Sequence, residues 1–176
     1  MSTIIGGSSP SITFSDSTTQ TTAFTGSASQ ITSGTLPSAQ LPTGSVLQVV
    51  NATYGTETST TSTSYVTTNI TASITPKFST SKILVICTVP AQSNGSCNCA
   101  ITLFRGTVAG TIIFGGNGFA NMAGSTYSSV ASVAYLDSPA TTSSTTYTVG
   151  FKSGTGSTVW TSVSNTVGTI TLMEIA

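Results

Sequence analysis

The sequence predicts an all-β protein: an antiparallel β-sandwich of the jelly-roll kind, preceded by an extended Gly/Ser/Thr-rich N-terminal arm. Three observations carry that expectation. Apolar residues alternate with Ser and Thr through most of the second two-thirds of the chain, which is the period of a strand with one buried face. Clusters of Gly, Asn, Asp, Ser and Pro recur between these runs, and no stretch carries the 3.6-residue period of a helix. One run, Ile83-Leu84-Val85-Ile86-Cys87-Thr88-Val89, is apolar at both parities and mostly β-branched. It reads as a central strand covered on both faces, either at the core of the sandwich or where partner subunits meet.

The 176 residues suffice for one compact domain and a tail. Residues 1–44 lack sustained periodicity, and their large apolar side chains (among them Ile12, Phe14, Phe24, Leu36 and Leu41) are too spread out to form a core. Such spacing suits a strap lying on another surface. At ~3.3 Å per residue an arm of this length reaches on the order of 140 Å.

From 45 onward the alternation becomes regular. Strands are expected near 46–54, 64–75, 82–90, 97–105, 110–115, 127–136, 145–152, 157–163 and 167–175. In the second, Val66, Ile70, Ala72 and Ile74 share one face and Thr67, Asn69, Thr71 and Ser73 the other. Ser93-Asn94-Gly95, Arg105-Gly106, Gly115-Gly116-Asn117-Gly118, Asp137-Ser138-Pro139 and Gly154-Thr155-Gly156 supply turns between strands. Short strands at regular spacing over about 130 residues fit one sandwich domain, 45–176. No fixed-period repeat is present, which argues against a solenoid or propeller. The apolar C-terminal run from Ile170 to Ile175 would fray unless paired in a sheet or buried at a subunit contact.

Charge is sparse, with four Lys or Arg and four Asp or Glu, while Ser and Thr fill more than a third of the positions. Lys77, Lys82, Arg105 and Lys152 are scattered, whereas neutralising a phosphate backbone needs clustered bases, so nucleic acid is not an expected partner. Near-zero net charge gives little protection against self-association and suits a protein that works in an assembly. No apolar run is long enough to span a bilayer as a helix, so membrane insertion is not expected. The opening Met-Ser-Thr-Ile-Ile-Gly-Gly has neither a basic nor an apolar leader segment. Synthesis in the cytoplasm is therefore expected.

Enzymatic chemistry is not expected either. The chain has no histidine, the commonest general base and metal ligand. Asp16, Glu57, Asp137 and Glu174 fall in different elements, while glycoside hydrolysis needs two carboxyls across one bond. No serine has an evident activating partner. Cys97-Asn98-Cys99, with Cys87 elsewhere, offers three thiols but no fourth zinc ligand, so core packing is the better reading and no cofactor or metal is expected. The run Gly115-Gly116-Asn117-Gly118 lacks the strand–loop–helix setting of a phosphate loop, and Phe119 and Met122 are expected in the loop after it. Trp160 has the opposite parity to Val159 and Val163, so it faces outward when they face in.

Two segments of the arm carry a resemblance. Ile12-Thr-Phe14-Ser-Asp16-Ser-Thr-Thr-Gln20-Thr-Thr-Ala23 resembles the I-x-F-x-D-G-T-x-Q-T-T-A segment of tailed-phage fibre and other virion proteins, with Ser17 where that pattern has Gly. Ser33-Gly34-Thr35-Leu36-Pro37-Ser-Ala-Gln-Leu41-Pro42-Thr-Gly44 is similar to the G-T-L-P-x-A-x-L-P-x-G connector that joins fibre segments to a tip domain. Together they cover about a fifth of the chain. The β-rich block that follows resembles the trimeric jelly-roll heads of the C1q/TNF-like type found at phage fibre tips.

The resemblance implies a non-enzymatic virion structural protein, assembled in the host cytoplasm and placed on the virion as a short tail fibre or fibre tip. It implies a homotrimer held to tail, baseplate or capsid proteins by the arm, through Ile12, Phe14, Asp16, Phe24, Leu36 and Leu41. The head would contact a host surface glycan or protein, with Asn94, Asn117, Phe119 and Trp160 as candidate receptor contacts in or near the loops 92–96, 115–126 and 152–158. The alternative is a capsid decoration or head-fibre protein whose arm staples capsomers. A third reading, a Thr-array surface binder prompted by 58–63, lacks the repeating solenoid such arrays need.

Overall fold

The computed structural model describes residues 37–94, 97–118, 120–122 and 128–176, together with 12–13, 17 and 19–20. The chain divides into two compact units, Met1–Pro37 and Ser38–Ala176. In the first unit β1 (Ile12–Thr13) pairs antiparallel with β2 (Thr19–Gln20), Ile12 opposite Gln20. Between them Ser17 takes a left-handed φ of 66°, at the position where the fibre pattern carries Gly. The turn therefore forms on a residue that pays a steric cost a glycine would avoid.

The second unit is an antiparallel two-sheet sandwich. Its strands are β3 (Val46–Tyr54), β4 (Thr58–Thr60), β5 (Val66–Ile74), β6 (Lys82–Ser93), β7 (Cys99–Arg105) and β8 (Thr111–Phe114). They continue with β9 (Ala120–Met122), β10 (Ser128–Asp137), β11 (Thr145–Ser153), β12 (Val159–Thr161) and β13 (Gly168–Ile175). One sheet places β13 between β3 and β6, with β10 on the other edge of β6; β12 and β4 extend it beside the end of β6. The other sheet runs β5-β11-β7-β8, with β9 continuing along β7 after β8.

Taking the eight principal strands in chain order (β3, β5, β6, β7, β8, β10, β11, β13), the first pairs with the last, the second with the seventh, the third with the sixth and the fourth with the fifth. That nesting is a jelly roll. The inner faces supply the core. Ile83, Val85, Cys87 and Val89 of β6 and Ile170 and Leu172 of β13 meet Ile70, Ile74, Ile101, Leu103, Val149 and Phe151 of the opposing sheet.

All nine expected strands are present. The four additional ones are short: β1 and β2 are two residues each and β4 and β9 three, too short to show a period. Met122, expected in a loop, lies in β9. The strand expected over 157–163 stops at Thr161, because Ser162 turns left-handed at φ 56°. Among the described residues the central run is covered on one face only. Ile83, Val85, Cys87 and Val89 are fully buried, but on the opposite face Leu84 is half-buried and Ile86 exposed.

Both ends of the sandwich are defined by its pairing. Strand β3 starts and β13 ends at one end, where Gly44 N–H donates to the Ala176 carbonyl (2.9 Å) and Ala176 N–H to that of Ser45 (2.9 Å). At this base end Asp137 on β10 bridges the sheets: it accepts from Arg105 Nε (2.8 Å) and Nη2 on β7 and from the Tyr147 hydroxyl (2.7 Å) on β11. Burial, and then the hydrogen bond to Asp137, push the Tyr147 phenol up. The fully buried Glu174 accepts from Gln48 Nε2 (2.6 Å) and the Lys77 N–H (2.7 Å), pinning the β5–β6 connection.

Sheet β5-β11-β7-β8 also has a small layer on its outer face. Phe104 is 2% exposed and stands edge-on to Tyr65, with ring centroids 5.4 Å apart. Gly150 makes room for it, since a Cβ there would lie 2.7 Å from Phe104 Cε2 and 3.1 Å from Val108 Cγ1. Gly150→Ala is expected to cost about 1–3 kcal/mol through overpacking. Urea unfolding would show the loss, and Phe104→Leu in the same chain should recover part of it. An additive double variant would contradict this account.

Candidate functional site

The residues that face away from the core on β3, β13, β6 and β10 line up in cross-strand rows. Near the base, Val49, Met173, Leu84 and Leu136 are successive neighbours across all four strands. Val46 and Ile175 lie beside them, paired across a register shift that turns Val46 outward although Val50 and Tyr54 of the same strand pack on the core. Val49 is 55% and Leu136 47% exposed, so this is apolar surface open to water in the single chain. The next row toward the opposite end, Asn51–Thr171–Ile86–Ala134, is mixed, and the one after it, Thr53–Thr169–Thr88–Ser132, is entirely polar or hydroxyl-bearing. Over these three rows the sheet face grades from apolar to hydroxylated, and the next outward pair, Pro90–Val130, is apolar again, with Val130 59% exposed.

The end of the sandwich opposite the start of β3 and the end of β13 is built from the β6–β7, β11–β12 and β12–β13 connections. Asn94 N–H donates to the Thr158 carbonyl (3.3 Å) and Gly154 N–H to that of Asn98 (2.8 Å), so two of the loops singled out from sequence meet here. Trp160 is also at this end, half-buried on β12 between Ser59 and Gln92, while its neighbours Val159 and Thr161 are fully buried. Asn117 stands apart from them, exposed in the turn between β8 and β9 on the edge of the other sheet. There the buried Thr102 hydroxyl, on the neighbouring β7, lies 2.6 Å from the Gly115 carbonyl and 2.6 Å from the Tyr65 hydroxyl. Phe119 lies outside the described residues. Of the arm candidates, Ile12 pairs in β1, Leu41 is half-buried in the second unit, and Phe14, Asp16, Phe24 and Leu36 lie outside the described residues.

All three cysteines are buried and unpaired. Burial pushes the Cys87 and Cys99 thiols up to about 12. Cys97 differs: its Sγ lies 2.9 Å from Ser153 Oγ, under the β11–β12 turn. Burial raises its pKa too, but hydrogen bonding with Ser153, with Thr155 and with the backbone of residues 154 and 155 outweighs this and brings it to about 7. Iodoacetamide on the native chain at pH 7.5 is therefore expected to label Cys97 first, because opening one turn exposes it, whereas Cys87 and Cys99 sit in paired strands. Peptide mapping that found all three labelled at one rate would contradict this.

Among the described residues no group of three or more Cys, Asp or Glu is placed to hold a metal ion. Sequence reasoning missed both the apolar row and the β12–β13 turn. The row's members come from four strands far apart in sequence; Leu84 lay in the doubly apolar run, but nothing local links it to Val49, Met173 and Leu136. The turn carries left-handed Ser162, Ser164 and Asn165 without a single glycine. In comparison with known proteins, no family model matches the chain and no curated protein matches it.

Proposed function

We propose that this chain is a non-enzymatic structural protein of a tailed-phage virion, a short fibre or fibre tip. In this reading residues 1–44 attach it to other virion proteins. The sandwich assembles as a homotrimer through the outer face of β3, β13, β6 and β10, and its far end contacts the host surface. The observation that carries the reading is the polarity of that sheet. An exposed apolar row lies at the end where β3 starts and β13 ends, and an uncharged, hydroxyl-bearing row, Thr53–Thr169–Thr88–Ser132, follows it two rows further along the strands. Covering the row stabilises an assembly by about 25 cal/mol per Å² of apolar area. The jelly-roll nesting adds support, since it is the fold that the fibre resemblance implies.

Two measurements test it. Sedimentation of the full chain should give a trimer, and Leu84→Asp, at the centre of the row, should give a folded monomer. A wild-type monomer would remove the assembly. Imaging of antibody-labelled virions should place a few copies at the tail. Regular copies over the capsid would instead assign the decoration role and make the arm the working part.

A further inference from the structure

Beyond its hydroxyl-bearing row the outer face becomes apolar a second time. Pro90 of β6 and Val130 of β10 are the next outward pair, and Val163 of the β12–β13 turn stands beside them to form a groove of ≈ 160 Å³. The Ser162 N–H, which donates to the Pro90 carbonyl (2.9 Å), holds the turn there. The Thr166 hydroxyl at the groove already donates to the Val163 carbonyl (2.6 Å), so the walls present mainly hydrocarbon. Val167 stands at the same level on the other side of the sheet, one outward step beyond Thr169 as Pro90 is beyond Thr88. Gly168 and Ile170 after it are buried, so Val167 has outer parity. Its Cγ2 lies 3.4 Å from where a Cβ on Gly55 would be, just past the Tyr54–Gly168 pair and therefore toward β3. Among the described residues seven large apolar side chains are exposed. Six of them, Val46, Val49, Ile86, Val130, Leu136 and Val167, belong to this one face, and Ile112 is on the other sheet.

We infer that Val167 of one copy seats in the Pro90–Val130–Val163 groove of the next copy around the threefold axis. The inference rests on the homotrimer proposed above and names the contact that orients it. A twofold axis presses a face against itself, but a threefold axis brings one side of it against the other side on the neighbour. Those sides are β3 and β10, the two edges of the four-strand run β3-β13-β6-β10. An axis lying along the strands keeps every row at its own level. Val49 then meets Leu136 at the base, Thr53 meets Ser132 with hydroxyl against hydroxyl, and Val167 meets the groove. A shift along the axis by one or two rows would instead set hydroxyls against hydrocarbon. An apolar space of this volume takes a group about the size of benzene, so a valine side chain fits. No charged residue lies in the rows from Val49 to Pro90, as the desolvated centre of a subunit contact requires.

The test is oxidative cross-linking of the full chain carrying Val130→Cys and Val167→Cys together, beside sedimentation of Val130→Asp. Both positions are exposed in the single chain, so these changes leave the sandwich folded. Strand β6 lies between β10 and β13, which sets the two positions about 10 Å apart within one chain. A disulfide cannot span that distance, so any bond between them joins two chains. The expected result is linked dimers and trimers on a non-reducing gel from the double variant, and single chains from wild type and from either substitution alone. Val130→Asp places a charge against Val167 of the neighbour and should raise the concentration for half-assembly at least about tenfold. No interchain bond in the double variant, equal bonding in a single variant, or unchanged assembly of Val130→Asp would overturn the inference. If wild type sediments as a trimer in those cases, only the groove contact fails and the trimer stands. If wild type is a monomer, the trimer fails and takes this contact with it.

Discussion

Replacing Asp137 with alanine is expected to destabilise the sandwich by about 3–4 kcal/mol, among the largest effects of any single substitution in this chain. The carboxylate is 3% exposed and accepts from two groups on the other sheet, the Arg105 guanidinium and the Tyr147 hydroxyl. Its removal leaves the fully buried Tyr147 hydroxyl without an acceptor, which costs about 1–3 kcal/mol. It also leaves the Arg105 guanidinium unpaired. Because that side chain is 33% exposed, water takes over part of its solvation and the loss stays below the upper end for a fully buried pair. Tyr147→Phe, which removes one donor and keeps the carboxylate paired with Arg105, should cost only about 1 kcal/mol. Urea titration of the three chains checks the ordering. Equal losses for Asp137→Ala and Tyr147→Phe would mean that the ion pair adds nothing. Since Tyr147 ionises less readily folded than unfolded, stability linked to it is present below pH ~10, the ordinary phenol pKa, and is lost as pH rises.

Glu174→Gln is expected to cost on the order of 3 kcal/mol and to reshape the acid limb of the stability curve. The carboxylate is fully buried one strand position from the apolar row, and Gln48 and the backbone of Lys77 donate to it. Glutamine keeps the volume but puts an amide N–H₂ against one of those donors. Burial alone would raise the Glu174 pKa, yet the polar groups around the carboxylate, among them the hydrogen bonds from Gln48 and the Lys77 N–H, outweigh it and hold the carboxyl below its ordinary range. A depressed folded pKa contributes stability that is complete above the unfolded value of roughly 4.3 and is lost as pH falls through the folded value. Wild-type stability should therefore drop between about pH 5 and the folded pKa, and Glu174→Gln should be flatter there. Parallel acid limbs would show that another carboxylate controls acid unfolding.

The Asp137 clasp and the Glu174 lock were not legible in the sequence, although both residues were noted as carboxylates. Asp137 finds Arg105 from 32 residues away and Glu174 finds Gln48 from 126 away. Nothing local links them. Of the candidate contacts read from sequence, Asn94 and Trp160 do reach one end of the sandwich, because the β6–β7 and β11–β12 connections leave their strands at that end. Asn117 instead marks a break in the edge strand along β7. The parity argument for Trp160 held for β12 itself but not for Val163, since the left-handed Ser162 ended the alternation and left Val163 beside Pro90 and Val130 on the outer face.

What the sequence determined by itself was the position of nine strands and, in runs such as Val66–Ile74 and Ile83–Val89, which residues share the inner face. Alternation with period two is a local signal, and it survives any arrangement of the sheets because every inner face must be buried somewhere. It also showed, in the double-sided run around Leu84 and Ile86, that one strand carries apolar residues on a face a lone sandwich has no need to bury. Only the tertiary structure decided what those outward residues mean. Register places Val49, Met173, Leu84 and Leu136 side by side at one end and Pro90 and Val130 beside the β12–β13 turn at the other. A shift of one residue in any of those pairings would scatter both surfaces, and register is fixed by the packing of both sheets together rather than by any single strand.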